Sequence, residues 1–142
     1  MREDIRSFLS RVEKPGRYTG GEPGSVYKDL GDTHLRVAFC FPDTYEIGMS
    51  NLGMRILCQA FNELDHVWCE RVYAPWVDME KEMRERHIPL FTHESGDPVG
   101  EFDIVAFTLQ YEMCYTTVLN MMDLAGIPLR SKDRGEDAPI IL

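Results

Sequence analysis

The stretch from Leu35 to Leu57 constrains the fold more than any other. An apolar block, LRVAFCF, breaks at Pro42-Asp43 into the turn-rich TYEIGMS and restarts as the helical pattern NLGMRIL. Nearly every residue from Leu35 to Phe41 is apolar, which suits a strand buried on both faces of a parallel sheet. In such sheets ligands bind outside the carboxyl ends of the strands, so the loop from Pro42 to Ser50 is the first place to look for function.

The pattern then alternates. Asn51 caps an expected helix running to about Leu64, on which Leu52, Ile56, Leu57, Ala60, Phe61 and Leu64 form a broad apolar stripe of the kind that faces a core. A strand over Val67–Tyr73 leads through Ala74-Pro75-Trp76-Val77 to a helix capped by Asp78. A short strand is expected at Pro89–Thr92 and a strongly apolar one at Asp103–Leu109. The helix YTTVLNMMDLAGI follows, ended by Gly126 before Pro128. Upstream, Arg2 to Val12 reads as an amphipathic helix, residues 14–25 as a Gly/Pro-rich connector and Val26–Leu30 as a short strand.

Strands alternating with helices of 10 to 14 residues imply right-handed crossovers and a mainly parallel sheet covered on both faces. The fold class is therefore α/β, three-layered and Rossmann/flavodoxin-like, with residues 1–34 as helix and connector and 35–142 as the domain. Order 2-1-3-4-5 makes the strands at Leu35–Phe41 and Asp103–Leu109 neighbours or next neighbours. The closing APIIL reads as the opening of a further buried strand, so a fragment of a longer polypeptide is expected.

Charge and cysteine usage narrow the function. The net charge of -9 lies wholly in residues 35–142, because residues 1–34 hold six basic and six acidic side chains, and this is the opposite of a nucleic-acid footprint. No apolar run approaches the ~20 residues of a membrane helix, and no secretory signal opens the chain, so a cytoplasmic location is expected. Cys40, Cys58, Cys69 and Cys114 lack any close pair, and read as reduced, buried thiols that do not meet. The histidines, His34, His66, His87 and His93, read as dispersed surface residues, and most of the methionines as core filling.

The segments RYTGGEPGSVYKD, FPDTYEIGMSNLGMRIL, ERVYAPWVDME, DIVAFTLQYEMCYTTVLNMMDLAGIPL and RSKDRGEDAPIIL resemble the N-terminal region of a family of large bacterial radical S-adenosylmethionine (radical SAM) proteins. The resemblance covers residues 17–142. It implies a cobalamin-binding-like domain placed ahead of an iron-sulfur barrel, with the [4Fe-4S] cluster and S-adenosylmethionine held downstream. The three-cysteine motif of that barrel, CxxxCxxC, does not occur here, so this segment by itself is expected to be non-catalytic. Many cobalamin domains carry a cobalt-binding His in the first loop, within DxHxxG; the corresponding DTYEIGMSNLG has none.

Two readings follow. In one, the domain binds a corrinoid at the strand ends through Tyr45, Glu46, Gly48, Ser50, Gly53, Trp76, Thr108, Gln110, Tyr111 and Glu112. In the other, it binds no ligand and packs on the catalytic barrel or another subunit. Either way these residues are expected to line one surface, through which the isolated segment could form a homodimer.

Overall fold

The computed structural model describes residues 3–142, with side chains from Ile5 onward. Among them a four-stranded sheet runs in the order β2-β1-β3-β4: β1 Leu35–Phe41, β2 Val67–Tyr73, β3 Ile104–Phe107 and β4 Ile140–Ile141. All pairings are parallel, with Leu35 opposite Val67 and Val37 opposite Ile104. The most continuously apolar strand thus sits at the centre beside β3, as its sequence requires.

Among the described residues five α-helices complete the layers: α1 Glu3–Arg6, α2 Tyr45–Met49, α3 Leu52–Asn62, α4 Val77–Arg86 and α5 Cys114–Leu124. Asn51 caps α3, its side chain accepting from the Met54 N–H at 2.9 Å. The cap of α4 is Trp76 rather than Asp78. Asp78 lies inside the first turn, where its carboxylate accepts from the Glu13 and Met79 N–H groups, so it ties the N-terminal segment to α4. Gly126, at φ +70°, lies just past the end of α5.

Side-chain parity divides the core. On one sheet face Ala38, Cys40, Val72 and Val105 pack under Met79 and Met83 of α4 and Met121 and Met122 of α5. On the other, Val37, Phe39, Phe41 and Cys69 pack under Met54 and Cys58 of α3. Ile5, Phe8 and Val12 belong to the first core.

Several expectations change. The first helix breaks into α1 and a 3-10 turn at Leu9–Arg11, because a four-residue helix gains too few hydrogen bonds to propagate and tertiary burial of Ile5 and Phe8 decides its path; its expected start at Arg2 lies outside the described residues. Val26–Leu30 forms no strand. The outer edge of β2, where it would pair, is already occupied: the Asn62 amide bonds both the N–H and the C=O of Cys69, and Lys28 Nζ donates to the Val67 C=O at 2.7 Å. At Arg71 the N–H donates to Glu94 Oε2 and the C=O accepts from the His93 N–H at 2.8 Å. Side chains thereby substitute for a neighbouring strand and close the edge. Pro89–Thr92 likewise makes only an isolated bridge, Phe91 to Pro98, within a loop closed by the Thr92 N–H to Asp97 C=O bond.

The stripe on α3 also divides differently. Met54 and Cys58 meet the sheet, while Leu52, Ile56, Leu57, Ala60 and Leu64 face outward and Phe61 keeps only an edge contact with Phe39. The apolar arc is wider than the strip one sheet can cover.

The cysteines are free and buried, but Cys58 and Cys69 do meet, Sγ to Sγ at 3.6 Å. That hydrogen bond, together with burial, pushes the Cys69 thiol up and keeps it protonated. Thiol titration of the denatured, unreduced protein should count four; a count of two would mean that this pair is oxidised.

Candidate functional site

The loops after β1, β2 and β3 all leave the carboxyl edge of the sheet. Thr44 turns the chain from β1 into α2, which carries Tyr45, Glu46 and Gly48. These residues are engaged within the domain. Tyr45 donates to Glu22 Oε1 at 2.9 Å, and its ring lies 5.4 Å from that of Tyr73 and 5.2 Å from that of His93. Glu46 pairs with Arg17 at 2.9 Å and Lys14 at 3.5 Å. Gly48 is buried, and a Cβ added there would stand 2.4 Å from the Tyr73 ring, so the close approach it permits is to Tyr73. Ser50 donates to the Glu46 C=O, and Gly53, in the first turn of α3, is exposed.

Of the remaining expected residues, all but Thr108 are exposed. Trp76, after β2, is 42% exposed, with the Arg17 guanidinium 5.3 Å from its ring centre. Arg17 therefore bridges Glu46 and Trp76. After β3, Gln110, Tyr111 and Glu112 are exposed, and Thr108 keeps a buried hydroxyl with no hydrogen-bond partner among the described residues.

Beside this edge lies a charge network that the sequence reading missed. Arg71 on β2 directs Nε to Glu94 Oε1 at 2.6 Å and Nη2 to Ser25 Oγ at 2.9 Å and Glu22 Oε2 at 3.4 Å. Glu22 also makes a close contact with His93 Nε2. His93 is thus a buried partner of an acid, not a surface residue. Gly20, at φ +64°, brings the connector against the His93 carbonyl, where a Cβ would stand 2.4 Å away. A cleft of about 700 Å³ opens here, with Leu52, Ile56 and Ala60 of α3 on one side and Glu22, Arg71 and Glu94 on its floor.

On the opposite face of β2, Glu70 is fully buried and accepts from Arg36 at 2.5 Å, from Thr92 Oγ1 at 2.8 Å and from Ser95 N at 2.9 Å. Arg36 reaches Asp97 at 2.8 Å and lies 4.1 Å from the Phe102 ring centre. Two adjacent residues of one strand therefore grip the same loop, 92–97, from both faces. The available signal was the opposite-charge pair Glu70-Arg71 inside the otherwise apolar VWCERVY, since charges in a strand core persist only when paired.

The two acids on Arg71 titrate in opposite senses. Burial raises the Glu22 carboxyl, but hydrogen bonds from His93 and Tyr45 outweigh it and hold the group below the usual carboxylate range. Burial raises Glu94 further than Arg71 can offset. Glu22 thus contributes stability that is present above the ordinary carboxylate pKa and lost as pH falls through its lowered value; Glu94 contributes stability that is lost as pH rises through its raised one. Melting temperature should drop as pH falls below about 4, and Glu22→Gln should flatten that drop. An unchanged acid slope in Glu22→Gln would remove Glu22 as its cause.

Among the described residues no group of His, Cys, Asp and Glu has the arrangement of a metal site. A family model described as radical SAM proteins, N-terminal, matches residues 53–142, more than half of the chain. No curated protein and no solved structure matches the chain.

Proposed function

This chain belongs to the family of radical SAM protein N-terminal domains, and we propose that it serves as an accessory domain whose carboxyl edge packs against the radical SAM domain of the same polypeptide. The observation that carries this reading is the division of that edge. Tyr45, Glu46 and Gly48 are engaged internally, whereas Trp76, Gln110, Tyr111 and Glu112 present aromatic and polar groups to solvent. Aromatic side chains ringed by polar ones are what a protein interface uses.

On this reading the loop after β1 holds no corrinoid. The space beside Gly48 is filled by Tyr73, and residues 42–53 offer no imidazole. His93, the imidazole that touches Tyr45, is committed to Glu22. Radical chemistry would belong to the downstream domain, which would hold the [4Fe-4S] cluster and S-adenosylmethionine; the buried thiols of this chain suit packing instead. Among the described residues no helix is long and apolar enough to cross a membrane. This reading places the protein in the cytoplasm, where such thiols stay reduced.

The test titrates the domain into the separately produced radical SAM domain and follows binding by calorimetry. Trp76→Ala combined with Tyr111→Ala should weaken association by about tenfold or more, and hydroxocobalamin should not co-elute with the domain. Unchanged affinity in the double variant, or retention of one cobalamin per chain, would overturn the proposal.

A further inference from the structure

The cleft beside Arg71 has two walls that the domain itself holds in place. One is the flank of α3 carrying Leu52, Ile56 and Ala60 at i, i+4 and i+8, a strip that rises about 12 Å along the helix. Leu52 is 65% and Ile56 57% exposed, so this strip gives its apolar surface to the cleft rather than to the sheet. The other wall is the connector over residues 22–26. It is pinned where Ser25 Oγ accepts from Arg71 at 2.9 Å, where the Val26 C=O accepts from Trp68 Nε1 at 3.0 Å and where Glu22 accepts from Tyr45 at 2.9 Å. Walls fixed in this way form the space before anything enters it, and about 700 Å³ is the size of a small-molecule site.

Charge selects the occupant. The carboxylates of Glu22, Glu63 and Glu94 line the cleft against the guanidinium groups of Arg55 and Arg71. Arg55 and Glu63 are exposed, so water and salt screen them. On the floor, Arg71 is committed: Nε meets Glu94, Nη2 meets Glu22 and Ser25, and Nη1 rests on Met49 Sδ at 3.2 Å. His93 touches Glu22 from outside the lining. An entering anion therefore meets two carboxylates at close range on a guanidinium that is already paired. A cation meets negative charge that Arg71 balances only by half, in a cleft whose apolar walls strengthen the attraction.

We propose that this cleft binds a small organic cation with an apolar body, of the alkylamine class, its body along Leu52, Ile56 and Ala60 and its charged head toward Glu22 and Glu94. Burial raises the Glu94 carboxyl, and a cation beside it opposes that rise, so the bound head stabilises the ionised floor. The proposal uses neither Trp76 nor Tyr111, and it stands or falls apart from the docking role of the carboxyl edge.

The test uses hexylammonium, hexanol and hexanoate, which share one apolar body and differ in head group. At pH 8 the Leu52 and Ala60 methyl signals of the 142-residue chain, followed by NMR, should shift saturably with hexylammonium. Its affinity should exceed that of hexanoate by about tenfold or more, with hexanol between them. Ile56→Lys, at an exposed position, should leave melting unchanged and abolish these shifts; Leu57→Lys, on the same helix but outside the lining, should change neither. Glu22→Gln should bring hexylammonium down to the affinity of hexanol. Absence of any saturable shift, equal affinity for the three probes, preference for hexanoate, or hexylammonium binding that survives Ile56→Lys overturns the proposal. So does loss of the hexylammonium shifts in the polypeptide extended through the radical SAM domain, which would assign the α3 wall to contact with that domain.

Discussion

Arg71→Ala is expected to destabilise the domain by about 3–5 kcal/mol, the range for removing one partner of a buried ion pair. The guanidinium meets Glu94 at 2.6 Å and Ser25 at 2.9 Å, and its further nitrogen rests on Met49 Sδ at 3.2 Å. Deleting it leaves the Glu94 carboxylate buried without a cation, and leaves the connector at Glu22 and Ser25 without its tie to β2. Arg71→Lys should recover only part of the loss, because one ammonium cannot reproduce the fork that reaches Glu94 and Ser25 together. Pairing Arg71→Met with Glu94→Leu should cost much less than Arg71→Ala, since no uncompensated charge then remains. Urea unfolding monitored by Trp fluorescence measures this. A loss below about 1 kcal/mol for Arg71→Ala would mean the network is solvated and does not hold the connector.

Glu70→Ala should produce a loss of similar size, about 3–5 kcal/mol, for a different local reason. Glu70 joins Arg36 on β1 to Thr92 and Ser95 of the loop, and its removal leaves Arg36 with Asp97 as its acidic partner and a Nε that has no partner among the described residues. Glu70→Gln keeps much of the hydrogen bonding and should cost about 1–3 kcal/mol. Hydrogen exchange separates the variants spatially. Glu70→Ala should speed exchange at Ser95, whose N–H loses its acceptor, and Arg71→Ala should speed it at the Arg71 edge contact with His93. Uniform acceleration across the sheet in both variants would contradict this division.

Much of the frame is legible because local chemistry and global position agree. LRVAFCF is apolar on both faces and becomes the central strand; Asn51 is the cap its position suggests; the βαβ alternation yields parallel strands in the order 2-1-3-4. The methionines of α4 and α5 fill the core as their helical spacing implies, although Met113 is 78% exposed.

What escaped the sequence reading depends on partners far apart in the chain. Nothing local to Glu22 shows that it meets residues 71 and 93, or that His93 is buried by that contact. The Cys58–Cys69 contact joins a helix to a strand whose register only the fold fixes. Nothing local to Gly48, an expected ligand contact, shows that it stands against Tyr73, because that ring rises from the neighbouring strand. The α3 stripe reads as core because periodicity reports amphipathicity but not how wide a strip the sheet covers.

If the carboxyl edge is a docking face for the radical SAM domain, that domain shields it from solvent in the longer protein. Hydroxyl-radical footprinting by mass spectrometry measures that shielding, comparing the 142-residue chain with the polypeptide extended through that domain. Trp76, Tyr111 and Met113 are exposed and readily oxidised in the chain alone. All three should become protected in the longer protein, while exposed Tyr27 keeps its oxidation rate. Equal oxidation of Trp76, Tyr111 and Met113 in the two proteins would contradict it.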